Sequence, residues 1–127
     1  MTLRRADAPG DAAAGVRRIC ASLPETTEDP AWSGFRWAIR RRTFAQIVTV
    51  TDPEGEDKTL LVFSLPDEER DVVLAMGHPF FRPGSGASRT GLVIDGDTDW
   101  QEVAELLTES YCLFAPAKLV EKIARPG

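Results

Sequence analysis

The chain has 127 residues, 43% of them apolar, which suits one globular domain with a packed core. Its formal net charge of −5 excludes a generally basic polyanion binder but leaves room for a local basic patch. No stretch approaches the roughly 18 apolar residues of a membrane span, and "MTLRRADAPGDAAAG" lacks the apolar core of a signal peptide, so a soluble cytoplasmic protein is expected.

Residues 1–10, polar with Pro and Gly, read as a loose terminus. From Asp11 the pattern turns helical, with Val16, Ile19, Cys20 and Leu23 on one apolar stripe. Pro24 and the run "ETTEDPAWSG" end that helix in a loop. In "GFRWAIRRRTFAQIVTV", Phe35, Trp37 and Ile39 alternate with Arg36, Ala38 and Arg40, and after Arg40–Arg42 the period of two resumes. This predicts two antiparallel strands joined by a tight turn at the arginines. "DPEGED" is the next turn, and "KTLLVFS", apolar on both faces, a central strand. "SLPDEERDVVLAMG" is a helix with Pro66 at its start and acids in its first turn. Val72, Val73 and Met76 face the core, and Gly77 caps its end. "PFF" and "GLVID" are short strands flanking a Gly-rich segment, and Phe80 and Phe81 point to opposite faces. "DTDWQEVAELLTESYCLFA" is the clearest helix. Trp100, Val103, Leu107, Ser110 and Tyr111 or Phe114 share one stripe, Asp99 and Glu102 form an acidic capping box, and Trp100 is buried against the sheet. Pro116 breaks it, and "AKLVEKIA" is a short last helix. The order predicts an α+β fold: one domain over residues 1–127, an antiparallel sheet of about five strands, and helices packed on one face.

The arginines are the best functional lead. Arg36, Arg40, Arg41 and Arg42 lie within seven residues on one strand and its turn. Residues 1–42 carry eight basic and five acidic groups and the remainder seven and fifteen, so charge is polarised along the chain. Arginines at a hairpin tip reach phosphates bidentately. The bland alternative is a solvated turn ion-paired to "EGED" across the sheet. His78, the only histidine, has no neighbour that would make it an acid–base pair. Ser85 and Ser88 in "GSGAS" match neither a phosphate-binding loop nor a nucleophile elbow. Asp95, Asp97 and Asp99 start like a calcium loop, but Trp100 and Leu106 stand where glycine and a bidentate glutamate are required, so a turn and helix cap explain them. Cys20 and Cys112 fit no metal or redox spacing and read as reduced, buried thiols. No metal or other cofactor is expected.

"WQEVAELLTESYCLFAPAKL", "ICASLPETTEDPAW", "FRWAIRRRTFAQI" and "HPFFRP" through "GLVID" together resemble the MmcQ/YjbR family, small proteins with a fold like that of bacterial frataxin (CyaY-like). Ser110-Tyr111, Ala115-Pro116 and Leu119 resemble its C-terminal signature. Many relatives carry a tryptophan where Gly91-Leu92 stand here. The resemblance implies DNA binding through two wing-like hairpins, which fall on the Arg40–Arg42 turn and the Gly77–Gly91 segment, with Arg82 and Arg89 available for phosphates. It implies no iron site, since the first helix offers only Asp11 beside Arg17 and Arg18. Two other readings stand beside this one: a small-ligand protein or enzyme with a pocket between sheet and C-terminal helices, using His78, Tyr111 and Lys118, or a protein–protein adaptor. The oligomeric state is open between monomer and weak dimer.

Overall fold

The computed structural model describes residues 2–31, 34–84 and 89–123, with side chains from residue 12 onward. The elements are α1 (Thr2–Ala21), β1 (Thr26–Ala31), β2 (Gly34–Ile39), β3 (Arg42–Thr51), β4 (Asp57–Ser64), α2 (Asp67–Met76), β5 (Phe80–Phe81), β6 (Arg89–Ile94), α3 (Trp100–Phe114) and α4 (Ala117–Val120). The strands form one six-stranded antiparallel sheet in the order β1-β2-β3-β4-β6-β5. This is the α+β layer fold expected from the alternating pattern.

The strand added to the expected five is β1, in the segment read as a loop. It is an edge strand paired only with β2, so Pro30 costs no ladder bond on its open side. Its residues are mostly exposed, which removes the alternating apolar signal. At the N-terminus α1 begins at Thr2, not at Asp11, so residues 2–10 are helical rather than a loose terminus. Each residue added to the turn at Ala12–Ala14 gains a hydrogen bond without a new nucleation cost.

The core lies between one sheet face and helices α1 and α3, which pack on β2, β3 and β4 and on each other. Val16, Cys20 and Leu23 enter it from α1, and Val103, Leu107 and Tyr111 from α3. Trp37, Phe44, Leu61 and Phe63 enter it from the sheet. Each such side chain contributes about 1.5–3 kcal/mol of burial. Asp99 caps α3, its carboxylate accepting from the N–H groups of Gln101 and Glu102. The Asp95 carboxylate accepts from the Asp97 N–H, a turn role as the sequence indicated.

Three packing details differ from expectation. Trp100 is half-buried and rests on α1 rather than on the sheet: a Cβ at Gly15 would come within 2.6 Å of its indole. In α2, Val72 and Met76 are exposed at 64% and 63%, while Val73 and Leu74 pack on the core. The cause is position: α2 covers only the narrow β5–β6 edge, so a thin stripe suffices. Cys20 is buried, whereas Cys112 is half-buried. Burial pushes the Cys20 thiol far up, which leaves it inert.

Candidate nucleic-acid interface

The β2–β3 hairpin turns on two residues, Arg40 and Arg41, and Ile39 pairs with Arg42 across it. Both turn residues have positive φ, 49° and 71°, the left-handed pattern of a type I′ turn. Arginine is an unfavoured residue there, since its Cβ crowds the backbone. Arg42 is the first residue of β3 rather than part of the turn. Arg40, Arg41 and Arg42 are all exposed. Arg40 pairs with Glu25 at 3.2 Å. Arg41 and Arg42 make no ion pair with any described residue.

The "EGED" turn cannot neutralise them. It joins β3 to β4 at the far end of the ten-residue β3, roughly 30 Å away at about 3.3 Å per residue. There Asp52 pairs with Lys58 at 3.7 Å, and Asp57 accepts from the Thr51 hydroxyl.

The register brings a second basic group to the arginine end. Ala45 pairs with Phe63, Phe63 with Thr90, and Ser64 with Arg89, while Phe81 pairs with Gly91. Arg89 at the start of β6 and Arg82 just after β5 therefore lie at the same end of the sheet as Arg41 and Arg42, and both are exposed. The segment from Gly77 to Gly91 is thus the β5–β6 hairpin that the sequence suggested. Residues 85–88, which include Ser85 and Ser88, lie outside the described residues. Arg36 is exposed on β2, farther along the sheet face that carries no helix. The end is not purely basic: Asp67, Glu68 and Glu69 open α2 nearby.

Between the two hairpins the sheet forks. The β3–β4 ladder stops at Ala45 and Phe63, and the Ser110 hydroxyl takes the next place. It donates to the Phe44 carbonyl at 2.6 Å and accepts from the Ser64 N–H at 2.9 Å. Beyond this point β3 continues only with β2, and β4 only with β6. Beside it the Tyr111 hydroxyl donates to the Pro24 carbonyl at 2.7 Å, and its ring meets Phe44 edge-on at 5.5 Å. Burial pushes the Tyr111 phenol up, which keeps it a neutral donor. The Ser-Tyr pair is thus spent on backbone carbonyls.

The three polar groups assigned to an alternative pocket are not gathered. The Tyr111 hydroxyl is committed near β1. His78 is exposed beside β5, the opposite edge of the sheet, and Lys118 is exposed on α4.

Sequence reasoning missed the clasp that holds α1 to the edge strand. Arg17 donates from Nε and a terminal nitrogen to the two Glu28 oxygens, each at 2.8 Å, and Trp37 Nε1 donates to the same carboxylate at 3.1 Å. The Arg17 guanidinium also sits 5.1 Å from the Phe35 ring centre. Glu28 lies in a run that reads as polar loop, and only the strand pairing opposite Trp37 reveals its role.

The family model YjbR matches residues 21–113, which span β1 through nearly all of α3. The chain belongs to the YjbR family. Solved structures show the same fold. A Deinococcus radiodurans protein with a DUF419 domain superposes on this YjbR chain with a TM-score of 0.65 at 16% identity, over 87% of this chain and 86% of that one. A Pseudomonas syringae protein superposes with a TM-score of 0.63 at 11% identity, over 84% and 97%. No curated protein matches the chain.

Proposed function

We propose that this protein binds nucleic acid weakly, gripping backbone phosphates between the Arg40–Arg42 turn and the β5–β6 hairpin with Arg82 and Arg89. The supporting observation is the register, which sets these two exposed basic groups on either side of one fork in the sheet. Arg41, Arg42, Arg82 and Arg89 have no described carboxylate partner, so each guanidinium is available for a bidentate phosphate contact. With so few contacts and a net charge of −5, binding is weak and strongly salt-dependent.

A titration of a labelled DNA duplex at two salt concentrations tests this. Each phosphate contact contributes about −0.9 to the slope of log K against log salt. Arg41→Ala with Arg42→Ala should weaken binding and flatten the slope by about 1.8. Equal affinity and slope in the double variant would remove the turn from the interface, and absence of salt-dependent binding in the wild type would end the reading.

A further inference from the structure

The sheet face opposite the core carries its own apolar surface. The register aligns Val48, Leu60 and Val93 in one cross-strand row and Gln46, Val62, Gly91 and Phe81 in the next. The five apolar side chains among these are half-buried by their sheet neighbours, and none belongs to the core or packs against it. The Phe81 ring lies over Gly91, where a Cβ would come within 2.3–2.5 Å of the ring carbons. An aromatic from β5 thus covers the strand position where relatives place a tryptophan.

Two observations select what covers this face. Charge is separated along the strands. Arg40, Arg41, Arg42, Arg82 and Arg89 mark one end. Asp52, Glu54, Glu56 and Asp57 after β3, with Asp95, Asp97 and Asp99 after β6, mark the other. Two copies laid face to face, related by a two-fold axis in the plane between the sheets and perpendicular to the strands, bring each arginine end onto the partner's acidic end. Both ends match at once, as an isologous contact requires. Stacked sheets keep their strands within about 30°, which preserves that match.

The size also fits. Six strands spaced about 4.8 Å apart and some five residues along them at about 3.3 Å each give a flat footprint near 500 Å². That lies below the roughly 800 Å² per partner of a standard interface and suits a weak, reversible dimer.

The geometry points to a self-complementary dimer through this open sheet face, with the apolar rows at its centre and opposite charges at its two ends. The inference stands apart from nucleic-acid binding, although both use the arginine end, so phosphates and a second copy compete for it.

Sedimentation of the full chain over a wide concentration range at low salt tests the dimer. The wild type should shift from monomer to dimer, and Val62→Asp should weaken association by about tenfold or more, since a carboxylate would face an apolar surface unpaired. A circular-dichroism spectrum checks that this variant folds. If it does not fold, a pair of surface variants carries the test. Arg41→Glu/Arg42→Glu and Glu54→Arg/Glu56→Arg should each associate more weakly alone, because each places like charges at both ends. Mixed, they should recover the dimer, because both ends become complementary. A wild type monomeric throughout, a folded Val62→Asp that associates like wild type, or a mixture that does not recover would each overturn the proposal. DNA titration of Val62→Asp reports separately on the phosphate site, which that change leaves in place.

Discussion

At the scale of the residue, Glu28 joins three elements. Its carboxylate takes the Arg17 guanidinium from α1 and the Trp37 indole N–H from β2, while its backbone belongs to β1. The Arg17 hydrogen bonds hold the Glu28 carboxyl below its ordinary value, against a smaller opposing effect of burial. A carboxyl depressed in the folded state stabilises above its unfolded pKa, about 4.3, and loses that stabilisation as pH falls through the folded value. Both side chains are partly solvated, so screening limits the effect to about 1 kcal/mol. Glu28→Gln should therefore unfold at lower urea than wild type at pH 7, and the two midpoints should converge near pH 3. Parallel midpoints across that range would show that the pair adds no pH-linked stability.

At the scale of the element, the β2–β3 turn sets local preference against composition. Two arginines occupy positions with positive φ that Asn-Gly would fill at lower cost. Arg40→Asn with Arg41→Gly should raise stability by up to about 1 kcal/mol, because it relieves left-handed strain while losing only an exposed pair with Glu25. The same change should weaken DNA binding. A rise in thermal midpoint with a fall in affinity is the expected pair of readings, and a loss of stability would mean the arginines pack in a way their exposure does not suggest.

This turn was legible in the sequence, because "RRR" interrupts an alternating pattern. So was α3, whose stripe and Asp99 cap are local signals. β1 was not, since an edge strand that buries almost nothing carries no period. The inward side of α2 was misread because Val72, Val73, Leu74 and Met76 offer two stripes, and only packing on a narrow edge chooses between them. That Arg41 and Arg89 lie at one end of the sheet needed the strand register, which depends on partners distant in sequence.

At the scale of the molecule, charge is distributed as an axis rather than a surplus. A chain with net charge −5 would ordinarily pass a polyanionic matrix unretained. Here the arginine end should hold the protein on heparin at low salt, in an orientation that points the acidic turns into solution. Arg41→Ala/Arg42→Ala/Arg89→Ala should elute at clearly lower salt, although its overall charge changes by only three. Wild type and variant eluting together in the void would mean the two ends do not act as separate poles.

The Ser110 hydroxyl has a consequence for shape. It occupies the place where β3 and β4 would otherwise bond directly, so it acts as a spacer one oxygen wide at the root of two prongs. Because that oxygen sits in the rigid core rather than on either hairpin, the gap between the prongs is held by the helix layer. A partner entering there meets an opening fixed before it arrives, and without the hydroxyl the two strands have nothing to keep them from zipping shut.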